Sequence, residues 1–328
     1  MRLTLLLFLL AALPLQAQFT FAPINVSGAV STQARGLNVN GEVVGFYQTV
    51  ACANLAWQVP NCPTRGFKYV NGSYIKLMVP GSLTTAIMGV NDYGDLVGFY
   101  SKTQSGCSRP VYHAFIWYHT NVVKTIDAPG TDACSSNGGN TVTVPFGINK
   151  AGTVAGGIWG VNSGTGSFPE GGWVYSGGIF HTTNPENAPT TNPCCWSVNG
   201  IANNGFISGQ VFQADFWMAW FKNGSDEDFY EFHSSNTNGG DTFGTGVDSN
   251  ADVVGYAPGS GGYYSKHIEL NEGTNDAAEI TPQGIAMNYP GAPQFSTYPL
   301  SVNDIRGVAG MYVDGAGVTH GFIARPNF

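Results

Sequence analysis

A twelve-residue phrase recurs six times along this chain, and that repetition restricts it to folds built from six copies of one unit. The two clearest copies are Gly36-Leu-Asn-Val-Asn-Gly-Glu-Val-Val-Gly-Phe-Tyr47 and Gly89-Val-Asn-Asp-Tyr-Gly-Asp-Leu-Val-Gly-Phe-Tyr100. Degraded copies begin at Gly147, Gly200, Gly246 and Ser301, so the starts lie 53, 58, 53, 46 and 55 residues apart. A period near 50 residues is the mark of a solenoid, propeller or similar array. Each phrase reads as strand, tight turn, strand. Asn38 to Gly41, Asn91 to Gly94 and Asn149 to Gly152 place Asn first and Gly fourth in the turn, a pairing suited to tight connections. The run Val43-Val44-Gly45-Phe46-Tyr47 that follows is β-prone, with a Gly where another backbone passes close.

Two more strands complete the unit. The third reads Arg65 to Tyr69, His113 to Trp117, Gly172 to Tyr175, Ala219 to Phe221 and His320 to Ile323; the fourth reads Tyr74 to Met78, Val122 to Ala128, Ile179 to Thr183 and Phe229 to His233. Four antiparallel strands per repeat match one propeller blade. The expected fold is therefore all-β, a six-bladed β-propeller over residues 18–328. Repeat six stops after its third strand, while Gln18 to Pro23 precedes the first strand of repeat one. The N-terminal segment is expected to fill the vacant outer place of blade six and so remove an open sheet edge.

These phrases resemble the HAF-repeat family of extracellular bacterial proteins, whose repeats read Gly-Ile-Asn-x-x-Gly-x-Val-Val-Gly-x-Tyr followed by His-Gly-Phe. The copies at Gly36, Gly89 and Gly147, with His113-Ala-Phe and His320-Gly-Phe, carry the resemblance over nearly all of the chain. The departures are Ala202 in place of Asn, Ala251 and Arg306 in place of the turn Gly, and repeat five, whose third strand near Tyr263-Tyr264 lacks His-Gly-Phe. The resemblance implies secretion and a propeller-like fold, and it brings no catalytic residues with it.

Residues 1–17 read as a secretory signal peptide: Met1-Arg2, an apolar run from Leu3 to Leu13, and Ala17 before the cut. The apolar run is shorter than the roughly 20 residues a spanning helix needs, so no transmembrane segment is expected, and the protein is placed in the medium or at the cell surface. Removing Arg2 takes the net charge from −8 to −9, which argues against nucleic acid as a partner. Only 10% of residues are charged while 45 are Gly, a composition suited to many packed strands and many turns.

Counting strands outward from the axis as a to d, the b-to-c and d-to-a connections share one rim. That rim carries the long segments 48–64, 101–111, 130–143, 159–170 and 184–196, and long loops on a rigid scaffold are where binding residues concentrate. All six cysteines, Cys52, Cys62, Cys107, Cys134, Cys194 and Cys195, fall there. An even count in an exported chain points to disulfides. The expected pairs are Cys52–Cys62 and Cys107–Cys134, while the adjacent Cys194-Cys195 leave a vicinal disulfide open as an alternative. Trp57, Trp159 and Trp196 lie in or beside these loops and are the candidate binding residues, since a flat ring can stack on a sugar or anchor a peptide. Trp117, Trp173, Trp217 and Trp220 belong to strands and fill gaps between blades.

Candidate chemistry is sparse. His113 and His320 hold equivalent repeat positions and read as structural. His119, His181, His233 and His267 lack partners at recognisable spacing, and there is no Gly-x-Ser-x-Gly elbow. Asp248-Ser-Asn250-Ala-Asp252 has alternating oxygen donors like a calcium loop but shares the phase of the Asn-x-x-Gly turns, so an Asx turn is expected and no metal or cofactor. The expected function is a secreted, monomeric binding module for a glycan or a surface protein, using the long-loop face. The alternative is an extracellular glycoside hydrolase or lyase using carboxylates such as Asp127, Asp215, Glu227 and Asp241.

Overall fold

The computed structural model describes residues 18–51, 63–107, 110–131, 139–162, 166–183, 195–213, 216–222, 229–232, 241–266 and 284–328. These form six four-stranded antiparallel sheets, the blades of a six-bladed β-propeller. The leader assigned to 1–17 lies outside the described residues.

Blade one comprises β2 (Ser31–Leu37), β3 (Val43–Gln48), β4 (Thr64–Val70) and β5 (Ser73–Leu77). Blade two has β6 (Thr84–Val90), β7 (Leu96–Lys102), β8 (Val111–Trp117) and β9 (Val123–Thr125). Blade three has β10 (Gly139–Ile148), β11 (Val154–Asn162), β12 (Gly166–Ser176) and β13 (Ile179–Thr183). Blade four has β14 (Trp196–Ile201), β15 (Ile207–Gln213), β16 (Phe216–Lys222) and β17 (Phe229–Phe232). Blade five has β18 (Phe243–Val247), β19 (Val253–Ala257), β20 (Gly261–Ser265) and β21 (Ile285–Met287). Blade six joins β22 (Thr297–Val302), β23 (Val308–Val313) and β24 (Thr319–Pro326) to β1 (Phe19–Ile24), in the order β1-β24-β23-β22. The N-terminal strand thus closes the ring, in register from Phe19 opposite Pro326 to Ile24 opposite Gly321.

The repeat phrase is explained by two packing constraints. Every strand a carries a β-bulge just before the phrase-initial residue, between 34/36, 87/89, 145/147, 198/200, 244/246 and 299/301. The bulge drives a strand-a carbonyl against the second-strand Gly: a Cβ on Gly45 would collide with Gln33 O, and one on Gly98 with Ala86 O. The same Gly lies directly opposite the strand-c aromatic, as in Gly45 with Phe67, Gly98 with Phe115 and Gly310 with Phe322. Phe67, Phe115 and Phe322 are each fully buried. Blade five meets the same demand without His-Gly-Phe, because Tyr263 lies opposite Gly255.

The Asn of the turn does two jobs. Asn91 Oδ1 accepts the backbone N–H of Tyr93 and of Asp95, at 3.0 and 2.9 Å, while its Nδ2 donates to Asn149 O of the next blade at 3.2 Å. Equivalent inter-blade bonds run from Asn38 to Asn91 O, from Asn149 to Ala202 O and from Asn303 to Asn38 O. The relay breaks at the two departures. At Ala202 the seam is carried instead by Asn199 Nδ2 to Gly244 O and Asn204 Nδ2 to Ser249 O. At Asp248 the 2.8 Å ion pair of Arg306 Nε with the buried Asp252 spans blades five and six.

Candidate functional site

The rims differ in the sense expected from the sequence, and the axis between them is a channel. Its turn-side mouth is a space of about 590 Å³, counting the part open to solvent, lined by the phrase glycines and by the turn residues Val39, Asp92, Asn203 and Asp304. Those residues interlock: the backbone N–H groups of Val39, Lys150 and Ser249 donate to the side chains of Asp92, Asn203 and Asp304. Because Asn203 Oδ1 is engaged by Lys150, its Nδ2 faces the axis and donates to both Asp92 Oδ2 and Asp304 Oδ2, at 3.0 and 2.8 Å. This hydrogen-bonded bar crosses the channel. Among the described residues, this bar is what spans the turn-side end.

Above the bar is a chamber of about 640 Å³, counting the space open to solvent. Its wall is largely apolar, with Phe46, Phe99, Trp159, Phe146 and Met88, and it also presents Arg35. Arg35 is 8% exposed; its guanidinium donates to Gln33 Oε1 at 2.6 Å and lies 5.3 Å from the centre of the Phe46 ring. Burial pulls its pKa down to about 10, which leaves it cationic at neutral pH.

Trp159 was expected in a loop, but β11 and β12 extend as a long hairpin through most of 159–170, and a bulge between Ile158 and Trp159 turns the indole toward the axis. Gly157 supplies the room, since a Cβ there would lie 3.0 Å from Trp159 Nε1. The ring is 5% exposed and its buried N–H has no hydrogen-bond acceptor. Trp196 is not an exposed platform either. It begins β14, is 6% exposed, and donates Nε1 to Thr183 O at 2.7 Å while packing on Gly172. Trp57 lies outside the described residues.

The aromatic surface of the loop face comes from residues that the sequence did not single out. At the loop-side strand ends of blades four to six, Phe212, Trp217, Phe243, Tyr256 and Tyr298 form a continuous crescent with ring centres 4.7 to 5.9 Å apart. Phe243 and Tyr256 are stacked at 7°. Tyr256 is buried, whereas Phe212, Trp217, Phe243 and Tyr298 are partly exposed. Trp217, read from sequence as inter-blade filler, is thus partly at the surface; Trp173 and Trp220 are buried as expected.

His113 and His320 are structural in geometry. His113 Nδ1 meets Asp127 Oδ2 at 2.7 Å beside Tyr100, and His320 Nε2 meets Asp314 Oδ2 at 3.0 Å beside Tyr312. Asp127 is therefore occupied, and Asp241 accepts the backbone N–H of Trp217 at 3.0 Å; Asp215 and Glu227 lie outside the described residues. Glu170, on the loop-side part of β12, has its pKa raised by burial. The 248–252 segment is an Asx turn, with Asp248 Oδ1 accepting from the N–H of Asn250 and Asp252. None of the described cysteines is free, and Cys107 and Cys195 are disulfide-bonded. Cys52, Cys62, Cys134 and Cys194, and with them the partners in each expected pair, lie outside the described residues.

No protein-family model and no curated protein matches the chain. One solved structure that is similar belongs to the GH130 family of mannoside phosphorylases, which contains glycoside hydrolases that target beta-1,2 mannosidic linkages in Candida mannan. It shares 10% identity with a TM-score of 0.36, covering 96% of this chain and 96% of that one. A likeness of that degree says nothing about activity.

Proposed function

We propose that this is a secreted binding module of the HAF-repeat type that holds a glycan against its long-loop face. The observation that carries the reading is the aromatic crescent from Phe212 to Tyr298 at the loop-side strand ends of blades four to six. Flat rings exposed on one side and packed on the other keep their orientation, so stacking on a sugar costs little conformational entropy. A rigid ring of six blades suits recognition by loops and strand ends. Disulfides among the loop-face cysteines fit an exported protein.

A glycan array probed with the protein lacking residues 1–17 tests this. Binding to one or a few glycans, weakened at least tenfold by Trp217→Ala with an unchanged circular dichroism spectrum, is the expected result. Binding unaffected by Trp217→Ala and by Phe243→Ala overturns the assignment to this surface. A second reading, an extracellular carbohydrate-active enzyme, draws on Glu170, because a half-buried carboxyl with a raised pKa is suited to general-acid work. Release of reducing sugar that disappears in Glu170→Gln would establish catalysis.

A further inference from the structure

The aromatic crescent carries one charged group whose placement restricts the sugar it suits. Asp241 lies just ahead of β18, on the connection that enters blade five from the loop side. Its Oδ1 accepts the backbone N–H of Trp217 at 3.0 Å, and Thr242 N donates to Trp217 O at 2.7 Å. The carboxylate is therefore anchored to the same residue whose partly exposed indole belongs to the crescent. Asp241 is itself partly exposed, and its Oδ2 has no partner among the described residues. A carboxylate has about four acceptor sites, so one backbone N–H leaves it open to a ligand.

The charge around this carboxylate is one-sided. Residues 196–328, which build blades four to six, hold fourteen acidic and four basic side chains, whereas residues 18–128 hold four acidic and seven basic. All four of those basic residues stand at turn-side strand ends: Lys222 closes β16, Lys266 follows β20, Arg306 lies between β22 and β23, and Arg325 is the penultimate residue of β24. No basic side chain of these blades therefore neutralises Asp241 at the loop-side ends. Arg35 of blade one, whose charge acts on the Tyr256 hydroxyl, is buried and donates to Gln33.

A ring face beside a carboxylate attracts an ammonium group, the one through its quadrupole and the other through its charge. A negative surface also repels uronic and sulfated sugars. We propose that the crescent selects a glycan of amino sugars with free, protonated amines, one pyranose stacking on Trp217 and its ammonium received by Asp241 Oδ2. The proposal rests on the glycan reading above and narrows it to one class.

Glucosamine tetramer, its N-acetylated counterpart and cellotetraose share a β-1,4 backbone and differ at carbon 2, so calorimetric titration of all three at pH 5.5 isolates the amine. Glucosamine tetramer is expected to bind at least tenfold more tightly than the other two, and to lose that advantage at pH 8.5, where its amines are largely neutral. Asp241→Asn, which keeps an acceptor for Trp217 N, should remove the preference and leave cellotetraose binding unchanged. Equal affinity for the three sugars in the unmodified protein overturns the proposal and leaves the glycan reading standing. So does a positive glycan array from which amino sugars are missing, whereas an empty array removes both. Tetralysine bound as tightly as glucosamine tetramer also overturns the proposal, because charge alone would then suffice. These outcomes are read on the unmodified protein and stand even if the variant fails to fold.

Discussion

The repeat position filled by Asn in four blades is filled by Asp248 in blade five, and this one substitution has a pH signature. The Asp248 carboxyl is 1% exposed, and burial pushes its pKa up to about 6 even though Asn250 donates to it from both its backbone and side-chain N–H. Asp252, itself buried, adds negative charge beside it. A carboxyl with a raised native pKa binds more protons folded than unfolded between about pH 4 and 6, so its contribution to stability falls as pH rises across that window and then stays flat. A rise of that size above the ordinary aspartate value corresponds to about 3 kcal/mol at most. Asp248→Asn removes the ionisation and restores the amide of the other turns, with Nδ2 in place to reach the neighbouring blade as Asn303 does toward Asn38 O. Melting curves of the two proteins from pH 4 to 8 are expected to separate progressively above pH 4, with the variant more stable by about 2–3 kcal/mol at pH 7. A constant difference across the range would show that Asp248 does not ionise in the folded protein. Asp252 in turn is held by the Tyr264 hydroxyl and by Arg306 Nε.

Among the elements, β1 is the one whose removal is most informative. It supplies the outer strand of blade six, and it buries Phe19 against Tyr264 and Ile24 among Val26, Ala34 and Phe67. Deleting residues 18–24 removes the β1–β24 ladder and exposes the β24 edge. Loss of one fully buried large side chain alone costs about 3–5 kcal/mol, so the melting temperature should fall by more than 10 °C. An unchanged value would mean that blade six is stable with three strands. This element was legible because repeat six lacks a fourth strand and Gln18 to Pro23 has no other place to pair. The phase of the phrase likewise revealed the turn positions and the close backbone approach at each second-strand Gly, whereas the strand-c aromatic opposite that Gly emerged only from the register. The candidate site was less legible. Trp159 and Trp196 were found by type and by distance from the phrase, but no periodic signal told that β11 and β12 continue past the other blades, or that Gly157 and a bulge swing Trp159 inward. In the same way Phe212, Trp217, Phe243 and Tyr298 stand at the ends of different strands, and only closure of the ring brings them into one row.

At the scale of the molecule, the blades form a ring in which each inner strand touches its two neighbours, with β2 against β6 on one side and β22 on the other. Five seams join blades that are consecutive in the chain. The sixth is reinforced differently, since the segment leading into blade one is also the outer strand of blade six. To open the ring at that seam, the β1–β24 ladder must break or blade one must leave with it. That strand therefore acts on the unfolding barrier as well as on the equilibrium. The backbone bond from Asn327 N to Gln18 O, at 2.9 Å, places the two ends of this ladder side by side. A circular permutant that joins Phe328 to Gln18 through about four Gly and Ser residues, a length that hairpin connections tolerate, and opens the chain between Gly81 and Ser82 keeps all six blades but makes each of them continuous. Its remaining open seam, between blades one and two, is held by side-chain packing and by Asn38 Nδ2 on Asn91 O. The permutant should have the same far-ultraviolet circular dichroism as the parent and still unfold in one cooperative step. In denaturant-jump experiments it should unfold about tenfold faster, equivalent to about 1.4 kcal/mol of barrier. Equal unfolding rates would mean that packing between blades alone sets the barrier, and the exchanged strand would then contribute to stability only as any other outer strand does.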